Sequence, residues 1–90
     1  MKNIVATPLF EQQLTQILTQ LAQQDLQAAK AFKLYLDTVL INMETKVTKY
    51  KLSTFFNDEN IRDIEHQGFT IPFYIDEQNN NFSLLGIVKK

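Results

Sequence analysis

The apolar residues Phe10, Leu14, Ile17, Leu18 and Leu21 fall at spacings of four, three, one and three, with glutamine and threonine between them. That is one face of a 3.6-residue period and predicts an amphipathic helix. Thr7-Pro8 marks its start, since Thr is a good N-cap, Pro loses nothing at the first helical position, and Glu11 suits the positive end. The apolar pattern lapses at Gln23-Gln24-Asp25, where Asp25 offers a second N-cap and a tight turn into an antiparallel partner. This second helix carries Ala29, Phe32, Leu36, Val39, Leu40 and Met43 on one stripe. Leu34, Tyr35 and Ile41 widen the stripe, so much of this helix is expected to be covered.

The period then changes. From Thr45 to Thr54 no regular spacing remains, and an extended loop is expected, anchored on the core by Phe55-Phe56. Asn57 to Asn60 reads as a turn, Ile61 to His66 as a strand, and Gln67-Gly68 as a two-residue hairpin turn. Phe69, Ile71, Phe73 and Ile75 alternate with Thr70, Pro72, Tyr74 and Asp76, which predicts a half-buried strand with the Phe/Ile side inward. Pro72 removes a ladder donor and implies a local irregularity there. A polar turn over 76–81 leads to a last strand over 82–88. With a short strand at Lys2 to Ala6 the order is β-α-α-β-β-β, an α+β fold whose four-stranded antiparallel sheet carries an αα-hairpin on one face.

Ninety residues bound this to one domain, 1–90, because a chain of that size buries only somewhat more than ~60% of its unfolded surface. A 44% hydrophobic content with seven Phe and three Tyr is that of a folding globule. Without cysteine there is no disulfide or thiolate site, and with one histidine a transition-metal site is disfavoured; no cofactor is expected. No segment approaches membrane-spanning length and none resembles a signal peptide, so a cytoplasmic location is the expectation. A net charge of −1 argues against a protein whose main task is gripping nucleic acid by neutralising phosphates.

Element order and residues together resemble the RelE/ParE superfamily of type II toxin–antitoxin toxins. The features that carry the resemblance are Phe10, Leu14 and Leu21 in the first helix and Ala29 and Phe32 opening the second. To these is added "FFNDENIRDIEHQGFTIPFYIDE" followed by "FSLLGIVKK". The resemblance spans nearly the whole chain, with its most specific part over 61–88. It implies a toxin neutralised by a cognate antitoxin, with DNA reached only indirectly through that antitoxin. Two poisons share the fold: RelE-like members cut mRNA on the ribosome, and ParE-like members inhibit DNA gyrase.

Metal-free RNA cleavage needs groups that activate the 2′-hydroxyl, stabilise phosphorane charge and protonate the leaving oxygen. Aligned on Gly68, the positions at which RelE-like nucleases place lysines hold Ile61 and Asp63, and the arginine expected after the turn is Thr70. Asp58, Glu59, Asp63 and Glu65 crowd the only arginine, Arg62, and oppose a phosphate backbone. Arg62 and the only histidine, His66, share a side of one strand but stand roughly 13 Å apart along it, too far to hold one oxygen. They read as sheet furniture: His66 a strand-end residue near the turn, with general-base duty as the alternative, and Arg62 either salt-bridged to a neighbouring carboxylate or in contact with antitoxin or target. No catalytic residue is assigned.

The binding candidates are of three kinds. Lys46, Lys49, Tyr50 and Lys51 form a basic patch with an interleaved aromatic, either a solvated loop or a surface meeting DNA-bound gyrase or RNA. Tyr74, Leu85 and Ile87 are expected on the open sheet face, where an antitoxin or a second copy would cover them. Arg62 and the basic end Lys89-Lys90 complete the set. The expectation is a ParE-like gyrase inhibitor. The alternatives are a RelE-like nuclease acting through a displaced set (Lys49, Lys51, Arg62, His66, Lys89) and a detoxified binding module.

Overall fold

The computed structural model describes residues 2–90 of the chain. Strand β1 (Asn3–Ala6) runs into helices α1 (Pro8–Gln24) and α2 (Leu26–Ile41), followed by a short α3 (Met43–Lys46) and a 3₁₀ turn over Val47–Lys49. Strands β2 (Lys51–Leu52), β3 (Ile61–His66), β4 (Phe69–Asp76), β5 (Asn81–Leu84) and β6 (Val88–Lys89) complete the fold. It is an α+β fold with the helices over one face of the sheet. Among the described residues no helix is long and apolar enough to cross a membrane.

Side chains set the helix boundaries. The Thr7 hydroxyl accepts from the Phe10 amide at 3.3 Å and donates to the Leu84 carbonyl at 2.7 Å, tying the start of α1 to the sheet. Asp25 is the single residue between α1 and α2; its amide closes α1 on the Leu21 carbonyl, and its carboxylate accepts from Gln27 to open α2. One residue thus ends one helix and begins the next.

The sheet order is β1-β5-β4-β3-β2, with β6 also paired to β4. The expected four-stranded antiparallel sheet is corrected twice: β2 and the division of the last strand into β5 and β6 make six strands, and β1 lies at the edge, parallel to β5, with Ile4 opposite Phe82 and Ala6 opposite Leu84. Alternation records which face a side chain takes but not which way its strand runs, so the sheet is mixed. The Gln67-Gly68 hairpin is as expected, with φ of 47° and 86°, the double-positive geometry of a type I′ turn. The expected loop over 45–54 is instead a sequence of short elements: α3, the 3₁₀ turn and β2.

Rows of facing residues cross the helix-covered side. One runs Arg62, Phe73, Leu84, Ala6, and the next Ile64 and Ile71. Phe10, Phe32, Leu36 and Met43 press on them from above. Leu34, Tyr35 and Ile41 do not join this core, contrary to the expected covering of α2; Ile41 is 74% exposed. Phe55 and Phe56 are likewise exposed rather than anchored.

The last strand holds the irregularity that Pro72 implied. Phe73 pairs with Leu84, but Thr70 pairs with Val88, so Ile71 and Pro72 face three residues, 85–87: a β-bulge. Pro72 still accepts from the Leu85 amide at 2.8 Å, and its missing N–H falls where the ladder is interrupted. The Ile87 amide, displaced from the ladder, donates to Gln13 Oε1 of α1 at 2.9 Å. Gly86 makes room for this, since a Cβ there would stand 2.8 Å from the same oxygen. The extra residue reverses the alternation. Ile87 therefore turns into the core, 1% exposed, rather than onto the open face, and Leu85 is half-buried beside it.

Candidate functional site: a lysine-lined groove on the open sheet face

The face away from the helices carries Ile61, Asp63 and Glu65 of β3 opposite Tyr74, Pro72 and Thr70 of β4. Lys51 of β2 pairs with Asp63, and Val88 with Thr70, which places the two basic segments of the chain on either side of the same floor. Between them runs a groove of about 620 Å³. Its basic lining is Lys49, Lys51, Lys89 and Lys90, its floor Asp63, Glu65 and Thr70, and Leu52, Thr54 and Phe55 form a side wall.

Four lysines against two carboxylates leave the groove net positive in a chain that is itself slightly acidic. Both carboxylates have partners, although Asp63 Oδ1 is buried without one. Glu65 accepts from Lys90 Nζ at 2.7 Å, and Asp63 Oδ2 accepts from the amide and hydroxyl of Thr54 at 3.0 and 3.2 Å. The hydrogen bond and charge of Lys90, with a smaller effect of Lys51, hold the Glu65 carboxyl below its ordinary range. Burial pushes the Tyr50 phenol up.

The fold gathers Lys49, Tyr50, Lys51, Lys89 and Lys90 and separates the remaining candidates. Tyr50 lines the groove, while its ring lies edge-on to Phe73 at 5.7 Å and so also belongs to the core margin. Lys46 stands exposed at the end of α3, outside the groove. Tyr74 is half-buried on the open face, between Ile61 and Ser83. His66 is buried beneath α2, its Nε2 3.4 Å from the Phe32 carbonyl oxygen and its ring against that of Phe32 at 4.9 Å. Arg62 forms none of the expected salt bridges; its Nη1 donates to the Tyr50 carbonyl at 2.8 Å, on the helix side of the sheet. The displaced nuclease set is therefore divided between opposite faces.

Sequence reasoning missed Asp63, Glu65 and Thr70 as groove floor and Leu52, Thr54 and Phe55 as wall. The first three were within reach, since they alternate with the inward Ile64 and Ile71. The wall was not, because it depends on how a segment without periodicity folds back along β3. Among the described residues no group of three or more His, Cys, Asp or Glu is placed to hold a metal ion.

Fold and groove together define a class: a small α+β domain with a helix-covered core and an open, lysine-edged sheet face. No protein-family model matches the sequence, and no curated protein matches it.

Proposed function

We propose that this protein is the toxin component of a type II toxin–antitoxin system, ParE-like in mode, which inhibits growth by binding DNA gyrase and is neutralised by a cognate antitoxin. The observation that carries the choice of binding over catalysis is the protonation chemistry of the groove. A general acid or base works best with a pKa near the ambient pH. Two of the groove's titratable groups move the other way, Glu65 down under Lys90 and Tyr50 up through burial. The histidine is on the other face, under α2. What remains is a set of fixed positive charges around a shallow floor, suited to holding an acidic or phosphate-bearing surface. The half-buried Tyr74 on the open face extends the area a protein partner would cover.

A RelE-like ribosome-dependent nuclease is the second reading, and the meeting of Lys49, Lys51 and Lys89 with Tyr50 in one groove favours it. Pulse labelling with thymidine and leucine within minutes of inducing the protein without an antitoxin separates the two. Thymidine incorporation falling first supports the gyrase reading, and inhibition of supercoiling by purified protein then checks it directly. Leucine incorporation falling first transfers the assignment to translation. If neither falls, the chain is a binding module of the same fold.

A further inference from the structure

Arg62 breaks the pattern of the face it stands on. It shares a row with Phe73, Leu84 and Ala6, all turned toward the helices. Its Nη1 is used by the Tyr50 carbonyl, its Nε is buried without a partner, and none of the three ion pairs among the described residues includes it. An arginine kept on an apolar face with unmatched donors departs from the local rules of a core, and such departures cluster at functional sites.

Arg62 lines a cleft of about 360 Å³ between the α3–3₁₀ segment and the sheet, within the size range of small-ligand sites. Val47, Ile75 and Phe82 give the cleft an apolar surface, and Thr48 a hydroxyl. Its two carboxylates already have partners: Glu44 accepts from the Lys2 amide at 3.1 Å, and Glu77 from Lys2 Nζ at 3.0 Å. Lys2 Nζ also lies 5.8 Å from the centre of the Phe82 ring. Arg62 is left as the one cation of the cleft without an anion. A single unpaired cation beside two carboxylates suits a monoanion and disfavours a phosphate dianion.

We propose that this cleft binds a carboxylate carried on an apolar body, with the carboxylate on the Arg62 guanidinium and the apolar part against Phe82, Ile75 and Val47. A planar carboxylate matches the guanidinium fork. The chemistry is shared by free aliphatic or aromatic acids and by the carboxy-terminal residue of a peptide. The site lies across the sheet from the lysine groove and is independent of the function proposed above.

Because Arg62 is the only arginine, its side-chain Nε–H resonance is a single, self-assigned probe. The full chain would be titrated with hexanoate and with N-acetyl-L-phenylalanine, using hexanamide and N-acetyl-L-phenylalaninamide as neutral controls. Expected are a saturable shift of that resonance with a dissociation constant of about 1 mM or tighter, at least tenfold weakening for the amides, and parallel shifts of the Val47 and Thr48 amides. Preference for hexanoate identifies a free acid as the ligand class, and preference for the acetylated amino acid a peptide terminus. In Arg62→Met, checked for an undiminished melting temperature, the Val47 and Thr48 shifts should weaken at least tenfold. Equal binding of acids and amides, no saturable shift with either acid, or undiminished binding by the folded variant overturns the proposal.

Discussion

Gly86 and Gln13 show how closely one residue's chemistry can bind another. A Cβ at position 86 would stand 2.8 Å from the Gln13 Oε1 that accepts the Ile87 amide. Gly86→Ala should push the flexible Gln13 carboxamide off the Ile87 amide and cost about 0.5–1.5 kcal/mol, the worth of that hydrogen bond, and Gln13→Ala a similar amount by removing the acceptor from the part-buried Ile87 amide. Since removing the glutamine also removes what the new methyl would strike, the double variant should fall short of the sum, a coupling that urea unfolding of the four proteins measures. Glu65 gives a second test at this scale. Its folded pKa is depressed, so its contribution is complete above the ordinary glutamate range and is lost as pH falls through the lowered value. Carboxyl NMR should find its midpoint below that of a free glutamate, and higher in Lys90→Ala than in the parent. Ile87 could not be placed from the sequence because alternation counts every residue once, whereas a bulge inserts one that the partner strand does not match.

At the scale of elements, the chain was most readable where a period ran long enough to repeat. Both long helices, the hairpin β3–β4 and the place of its turn follow from spacing and from Thr7, Asp25 and Gly68. Asp25 serves two helices, so Asp25→Ala should loosen the α1–α2 junction at a cost of about 1 kcal/mol. Thermal unfolding would read that cost, and faster amide exchange at Gln27 would locate it. Between Met43 and Leu52 the elements are each shorter than five residues, below one or two repeats of any period. Hydrophobic patterning has nothing to register there, and the groove wall built from the following segment was lost with it. The exposed Leu34, Tyr35 and Ile41 show the converse limit: an apolar residue on a helix announces a preference for cover without supplying one.

Considered whole, the molecule separates two chemistries by the thickness of one sheet. Fixed lysine charges stand on the open side, and an unpaired arginine on the side of the helices. Spacing along the chain set Lys49 and Lys51 forty residues from Lys89 and Lys90, and only the sheet register brings them to one groove. Lys49→Glu combined with Lys51→Glu would change the balance from four lysines against two carboxylates to two against four. Under the function proposed above, toxicity on induction and target binding should fall more than tenfold, with stability lowered by no more than about 1 kcal/mol, since both side chains are exposed and only position 51 faces a carboxylate across the ladder. Binding by the parent should itself weaken as ionic strength rises. The strand direction that the sequence left open has a consequence in time. Residues 3–6 leave the ribosome well before their partners, residues 81–84, so at roughly 5–20 residues per second β1 waits several seconds for the strand that completes it. Until then Ile4 and Val5 belong to an unpaired segment, and a nascent chain stalled before Asn81 would present them to its neighbours as a nucleus for aggregation.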